Sequence, residues 1–218
     1  MFKILMTEPR RGYEILLRIV ELGERYPRLG NFYPIGADIF VFVYPIFLTA
    51  LYLYGIRKKD LQSKKEALFI FFACFFSVVM NILSQQFFDK QRPIYEFWIQ
   101  NLDQETILHQ FLPTTSFPSD HAVVTFSIAM ASWLIAQKYH NKKLKIWSGF
   151  LFIFAIITGF CRIGTTVHWT TDILAGTIMG ILVPVILSLS FCFKKIEKRI
   201  FAPIINIEEW LIHKLFNK

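Results

Sequence analysis

The chain has 218 residues, of which 54% are hydrophobic and 17% aromatic, while 18% are charged and the formal net charge is +8. Soluble domains usually carry about 25% charged residues, so this composition excludes a disordered chain and leaves too little polar surface for a soluble domain. The three cysteines lie far apart in the sequence and indicate neither a disulfide framework nor a metal site.

The first predicted helix lies between residues 13 and 29. Its charged residues recur at helical spacing and leave an apolar face, which is typical of an amphipathic helix lying in the membrane interface. The alternative is an extra membrane span, although the charges make crossing costly. The charged residues at this spacing are Glu14, Arg18, Glu21 and Arg25.

Five windows without Asp, Glu, Lys or Arg follow, each 16 to 22 residues long. Each is close to the roughly 20 apolar residues that cross a bilayer core, and the runs are continuous rather than alternating, which argues against an outer-membrane barrel. The sequence therefore predicts an all-α integral membrane protein, a bundle of about five to six transmembrane helices with interfacial helices at both ends. The windows are 39–56, 67–88, 121–137, 146–161 and 173–193.

Basic residues cluster after the first, third and fifth windows, and these segments are expected in the cytoplasm because short basic loops stay there. The loops 89–120 and 162–172 hold few cations and are expected outside. Since the charge follows membrane topology, nucleic-acid binding is not expected. We divide the chain into an interfacial segment at 1–33, a transmembrane core at 34–193 and a cytoplasmic amphipathic tail at 194–218.

Polar residues gather where the predicted spans meet the outside. Ionisable residues at membrane edges are costly and usually functional. The orientation was derived from Lys and Arg in other loops, yet it brings three polar clusters to one membrane face. This convergence predicts a site at the outer face, formed by residues 85–93, 117–121 and 162–172.

The residue types in these clusters suit chemistry on a phosphate ester. His168 and Asp172 are four residues apart, so on a helix the carboxylate can hold one imidazole nitrogen protonated and leave the other free to attack. His121 is then the expected general acid for the leaving oxygen. Arg92 and Arg162 can each bind phosphate oxygens through a planar fork.

Ser119 and Asp120 precede His121 at a predicted helix start, where backbone N–H groups can bind an anion. Taken singly, Ser119 and Asp120 are ordinary capping residues and His168 is an interfacial anchor beside Trp169; the combination favours a site. Zinc or magnesium binding is the competing chemistry, but no paired ligand motif occurs and the two arginines would repel a cation. We therefore expect neither a metal nor a cofactor.

In these residues the chain resembles the type-2 phosphatidic acid phosphatase superfamily of integral membrane lipid phosphatases, whose fold is shared with vanadium haloperoxidases. The family signature is Lys-x6-Arg-Pro, Pro-Ser-Gly-His and Ser-Arg-x5-His-x3-Asp, and its parts occur here in that order. The resemblance implies that His168 forms a phosphohistidine, that Asp172 orients it and that His121 is the acid. The phosphate ligands that it implies are Arg92, Ser119 and Arg162.

Three positions depart from this signature. Gln85 stands where the family has Lys, so one cation is missing or is replaced by Lys90. Cys161 replaces Ser before the arginine of the third part, a change between small residues. Asp120 replaces Gly, and the string Phe-Pro-Ser-Asp-His resembles the bacterial undecaprenyl-diphosphate phosphatase branch. We include Gln85, Lys90 and Asp120 among the expected phosphate-binding residues.

The resemblance implies a phosphatase that removes the terminal phosphate of an isoprenoid diphosphate, above all undecaprenyl diphosphate, and so recycles the carrier lipid of the cell envelope. It would act at the outer face of a bacterial inner membrane, with the lipid substrate and the bilayer as its expected partners. The alternatives are a lipid A 1-phosphatase and a phosphatidylglycerophosphate or phosphatidate phosphatase.

A lipid-headgroup binder or transporter is the alternative that is not an enzyme. Transporters usually place polar groups near the bilayer midplane, whereas the predicted span interiors here are nearly free of them. Asp38, beside the first window, is the nearest exception and could pair with a basic residue. The loop 94–117 is rich in aromatic and apolar residues, so it could lie on the membrane and gate substrate entry.

Overall fold

The computed structural model describes residues 3–95 and 115–216. Most of the residues predicted to form the gating loop 94–117, including Phe97, Trp98, Ile107, Leu108, Phe111 and Leu112, lie outside these ranges. Two short parallel strands pair within them, β1 (Ile4–Leu5) and β2 (Phe88–Asp89). The helices are α1 (Arg10–Arg25), α2 (Pro27–Asp38), α3 (Val43–Lys58), α4 (Leu61–Gln85), α5 (Asp120–Lys138), α6 (Lys142–Gly164), α7 (Thr170–Ser188), α8 (Ser190–Ile196) and α9 (Ala202–Phe216).

Four stretches of the described chain are long and apolar enough to cross a membrane: Pro27–Lys58, Leu61–Gln85, Lys142–Gly164 and Thr170–Ser188. Four of the five predicted windows fall on them. The remaining window forms α5, which packs against α4, α6 and α7. A helix enclosed by other helices presents little surface to lipid, so α5 can carry Ser, Thr and Ala on its buried faces. The prediction of an all-α membrane bundle is confirmed.

The outward faces of the bundle are apolar. Leu174, Ile178, Leu182 and Ile186 recur every fourth residue along α7, and each side chain is 49–57% exposed. A continuous stripe of this kind is unfavourable in water, because each side chain would leave apolar surface hydrated. The stripe is therefore the surface that meets lipid.

The N-terminal region differs from the single predicted helix at residues 13–29. α1 ends at Arg25 and α2 begins with Pro27, because proline disfavours a helical conformation in the residue before it but suits the first position of a helix. α1 is amphipathic and buries Leu16, Ile19 and Val20 where it packs against α2, α6 and α7. The boundary proposed between residues 33 and 34 falls inside α2, and the division into three segments remains a prediction.

Helices α5 and α7 approach each other closely near the start of α5. A Cβ atom on Gly176 would lie 2.7 Å from the carbonyl oxygen of Ser119, and one on Gly180 would lie 2.7 Å from that of Val123. Only glycine fits at such separations without moving a backbone. This contact fixes the first turn of α5 against the first turns of α7.

The turns between α3 and α4 and between α5 and α6 lie at the same end of the bundle. The side-chain amide of Asn141 donates to both carboxylate oxygens of Glu66, at 3.2 and 3.0 Å. The buried Lys64 ammonium pairs with Glu208 at 3.0 Å and so ties α9 to the start of α4. The predicted cytoplasmic segments therefore meet one another at one end of the molecule.

Candidate active site

The other end of the bundle gathers residues from all three predicted clusters. Arg92 follows β2, His121 lies in the first turn of α5, Arg162 in the last turn of α6, and His168 in the loop before α7. The arginines and His168 are at most 2% exposed, while His121 is half-buried. Since burying charged groups is costly unless they have partners, the hydrogen bonds of each residue matter.

Both nitrogens of the His168 ring have defined partners. Nε2 lies 3.3 Å from Arg92 Nη1 and 3.2 Å from Arg162 Nη2, and Nδ1 lies 2.9 Å from the carbonyl oxygen of Ser116. Guanidinium groups only donate and a carbonyl only accepts, so the proton belongs on Nδ1 and the lone pair on Nε2. This tautomer directs the nucleophilic nitrogen at the two arginines.

The loop environment also keeps the ring uncharged. Burial lowers the pKa of His168 well below its ordinary value of 6.5, and the positive charges of Arg162 and Arg92 lower it further. Burial lowers the pKa of Arg92 as well, and the charge of Asp172 partly opposes that effect. An imidazole with a low pKa retains its lone pair at neutral pH and can act as a nucleophile.

Asp172 lies at the start of α7, where its carboxylate caps the helix and faces His168. Its Oδ2 accepts the backbone N–H of Trp169 at 2.9 Å, as expected of a carboxylate that caps a helix, and lies 3.6 Å from His168 Nδ1. Its Oδ1 accepts from the Lys90 ammonium at 2.7 Å. Lys90 also donates to Glu8 and Thr171, both at 2.6 Å, so its three N–H donors all bind protein groups.

Arg162 is held between α2 and α5. Its Nη1 pairs with Asp38 Oδ1 at 2.9 Å and lies 3.5 Å from His121 Nε2. Asp38 is 2% exposed, and it thus makes the pairing with a basic residue that its position beside the first window suggested. This pair aims the guanidinium at both histidines.

Ser119 Oγ and Arg162 Nε, which belong to two of the predicted phosphate ligands, are among the buried polar atoms that have no partner in the described part of the chain. Ser119 precedes the first residue of α5, and its backbone N–H donates to the carbonyl of Asp172 at 3.2 Å. Buried polar groups without partners are costly. A bound oxyanion would supply acceptors for both atoms.

Gln85 and Asp120, the two positions where polar residues depart from the family signature, contact each other. Gln85 Nε2 donates to Asp120 Oδ1 at 3.0 Å and to the carbonyl of Pro118 at 3.2 Å. The amide of Asn81 donates to the same Asp120 oxygen. These contacts connect α4 to the turn that carries Ser119, so in this structure both residues brace the site.

Sequence reasoning missed Glu8, Thr171 and Ser116. Glu8 lies in a short N-terminal segment without helical periodicity, and Ser116 contributes a backbone carbonyl, which every residue possesses. Thr171 lies within the third cluster, so its position was the available signal. Across residues 3–95 and 115–216, no three His, Cys, Asp or Glu side chains group so as to hold a metal ion, and metal independence remains a prediction.

Two relatives of known name align with most of the chain. The chain is 27% identical over 207 residues to the undecaprenyl-diphosphatase BcrC of Bacillus subtilis (strain 168), covering 95% of this chain and 96% of that relative. It is 26% identical over 164 residues to the bacitracin transport permease protein BcrC of Bacillus licheniformis, covering 75% of this chain and 72% of the relative.

The fold also has a solved counterpart. The crystal structure of Aquifex aeolicus LpxE matches with a TM-score of 0.62 and 24% sequence identity, over 85% of this chain and 99% of that one. The family model described as the PAP2 superfamily matches residues 65–195, which hold His121, His168 and both arginines. That match spans more than half of the sequence, so the chain belongs to the PAP2 superfamily and is a phosphatase.

Proposed function

We propose that this membrane phosphatase hydrolyses the terminal phosphate of undecaprenyl diphosphate through a phosphohistidine intermediate. The observation that carries the proposal is the convergence of two guanidinium groups on the unprotonated Nε2 of His168. The substrate is suggested by the undecaprenyl-diphosphatase from Bacillus subtilis, which aligns with nearly the whole chain.

The positions of the side chains support the following first chemical step. Arg92 and Arg162 bind the oxygens of the terminal phosphate and place its phosphorus against His168 Nε2. Nε2 forms a bond to phosphorus as the bond to the bridging oxygen breaks, and the isoprenyl monophosphate departs. Asp172 stabilises the positive charge that the ring then acquires.

His121 transfers the protons. As imidazolium, a form that the anionic substrate favours, it protonates the departing oxygen. As neutral imidazole it then accepts a proton from the water that attacks the phosphohistidine, which releases inorganic phosphate and restores His168. The distance of 3.5 Å between His121 Nε2 and Arg162 Nη1 supports this role, because a phosphate bound by Arg162 would lie next to the ring.

The position of the site suits an amphiphilic substrate. The catalytic groups lie at one end of a bundle whose flanks are apolar, so the isoprenoid tail can stay in lipid while the diphosphate reaches the arginines. We place this end at the outer face of a bacterial inner membrane, where the product returns to the carrier-lipid pool of the cell envelope. The chemistry needs no metal, because arginines bind the phosphate and a histidine attacks it.

The test compares the wild type with His168→Ala on a panel of undecaprenyl diphosphate, phosphatidylglycerol phosphate, phosphatidate and lipid A, with and without chelator. We expect the wild type to release phosphate fastest from undecaprenyl diphosphate in chelator, and His168→Ala to lose at least about a thousandfold in kcat. His213→Ala is the control, because His213 is exposed on α9. Preference for another lipid rejects the substrate, while turnover by His168→Ala or its loss in chelator rejects the mechanism.

A further inference from the structure

Glu8 is a buried carboxylate in an otherwise open segment. Its side chain is 2% exposed, whereas Lys3, Ile4 and Leu5 before it are exposed. It lies far outside residues 65–195, the part of the chain that the family model matches. A buried carboxylate needs partners, and those of Glu8 lie in the active site.

Two features place the Glu8 side chain in the active site. The backbone N–H of Ile4 donates to Phe87 at 2.8 Å and that of Met6 donates to Asp89 at 2.9 Å, so the segment runs alongside β2 and arrives beside Lys90. In addition, Gly12 in α1 leaves room for the side chain, because a Cβ atom on Gly12 would lie 1.8 Å from Glu8 Oε1. The carboxylate therefore occupies a space that depends on this glycine.

Glu8 and Asp172 both accept hydrogen bonds from the Lys90 ammonium. Its Oε2 accepts from the Lys90 ammonium at 2.6 Å and from the Thr171 hydroxyl, and its Oε1 accepts the Thr171 backbone N–H at 3.4 Å. Lys90 and Asp172 are 1% and 0% exposed. The ammonium is thus shared by two carboxylates, and one of them faces His168.

We propose that Glu8 is a positioning residue for Asp172. By binding Lys90, it sets the orientation of Asp172 and the extent to which Lys90 neutralises the Asp172 charge, and so controls the basicity of His168. This inference rests on the proposed function only for its kinetic consequence. It gives the N-terminal segment a part in the chemistry.

The electrostatic consequence has a defined sign. With Glu8 charged, the Lys90 charge is divided between two carboxylates, and Asp172 retains negative charge to support the His168 ring. Without the Glu8 charge, Lys90 acts on Asp172 alone. The electrostatic potential at His168, which already lies beside Arg92 and Arg162, then becomes more positive. The imidazole then becomes less basic and a poorer nucleophile.

The kinetic test uses two variants that remove the carboxylate in different ways. Glu8→Gln keeps the shape and removes the charge, and Gly12→Ala keeps the charge but displaces the carboxylate. We expect both to lower kcat on the lipid diphosphate about tenfold, as when a residue that orients an active-site ligand is lost, with little change in KM because the phosphate-binding arginines are untouched.

Matched controls exist for both changes. Glu14→Gln alters an exposed glutamate on α1 that pairs with Arg10, and Gly149→Ala adds a Cβ atom where no heavy atom lies within 4 Å. Both should retain the wild-type kcat.

A second measurement does not depend on the substrate. In histidine-labelled protein, with His168→Ala used for assignment, ¹⁵N chemical shifts report the pKa and tautomer of the His168 ring. Glu8→Gln and Gly12→Ala should lower this pKa, while the two controls leave it unchanged. An unchanged His168 titration in both test variants overturns the inference, whatever happens to Tm. If the wild type hydrolyses no lipid on the panel, the proposed function fails, and the titration still decides the role of Glu8.

Discussion

The His168 ring is held by a backbone carbonyl as well as by a carboxylate. Ser116 lies 2.9 Å from Nδ1, whereas Asp172 lies 3.6 Å away and is engaged by Lys90 and the Trp169 N–H. Asp172 therefore acts on the ring mainly through its charge, and Ser116 through a direct hydrogen bond. Ser116 therefore orients the His168 ring, while Asp172 acts on it electrostatically.

Asp38 makes a testable contribution through its ion pair with Arg162. Breaking a buried pair leaves an uncompensated charge and costs about 3 kcal/mol, so Asp38→Asn should lower the free energy of unfolding by about that amount. Orthovanadate should raise the Tm of Asp38→Asn more than that of the wild type, because the oxyanion supplies the missing negative charge.

The matched control is Asp89→Asn, which makes the same change at an exposed residue of β2. It should leave Tm and the response to vanadate unaltered. Equal stabilisation of Asp38→Asn and the wild type by vanadate would show that Asp38 does not offset the charge of Arg162.

The parts of the site that depend on the spacing of residues along the chain could be predicted from the sequence. The spacing of four residues predicts that His168 and Asp172 lie close together, which they do although His168 lies in the loop before α7. The string around His121 marks a helix start. No spacing rule connects Glu8 with Lys90, because their approach depends on pairing between β1 and β2 across most of the N-terminal half. The backbone carbonyl of Ser116 carries no signal at all.

At the level of the helices, the windows without charge predicted which segments are helical but not where each helix breaks. Pro27 divides the N-terminal region, and Leu189 takes an extended conformation (ψ 137°) that separates α7 from α8 inside the window 173–193. A break at Pro27 follows from local chemistry. Leu189 has no such property, so its break could not be predicted from local chemistry.

The contact between α5 and α7 predicts that Gly176 is intolerant of a side chain. A Cβ atom there would lie 2.7 Å from Ser119 O and 2.9 Å from Ala122 Cβ, which would force apart the helices that carry His121 and Asp172. We expect Gly176→Ala to destabilise the fold by about 1–3 kcal/mol and to reduce phosphatase activity. Thermal unfolding and phosphate release measure the two effects, with Gly149→Ala as the control; a Gly176→Ala protein that matches this control would contradict the packing argument.

Across the bundle, the basic turns and the catalytic groups occupy opposite ends. Lys59 follows α3 at the basic end, where α9 packs. Gln91 lies between Lys90 and Arg92 at the catalytic end. The orientation rule applied to the sequence predicts that the basic end is cytoplasmic. The structure adds the separation of the two ends, while the direction across the membrane rests on the charge rule.

Cysteine labelling tests that direction. In a variant with the three native cysteines replaced by alanine, Gln91→Cys should react with a membrane-impermeant maleimide on intact cells or spheroplasts, because position 91 is exposed at the catalytic end. Lys59→Cys, also exposed, should react only after permeabilisation. The reverse pattern would place the active site in the cytoplasm.

The ion pairs of Lys90 and Arg162 at the centre of the site have a consequence for product release. Lys90 is paired with Glu8 and Asp172, and Arg162 with Asp38, and the charge of Asp120 also acts on Arg92 and Arg162. The positive charge of Lys90, Arg92 and Arg162 is therefore fully offset by carboxylates. Phosphate is then held by the geometry of hydrogen bonds, with no surplus of positive charge to retain it. We therefore expect inorganic phosphate to leave readily and to compete only weakly with the incoming lipid in a product-inhibition assay.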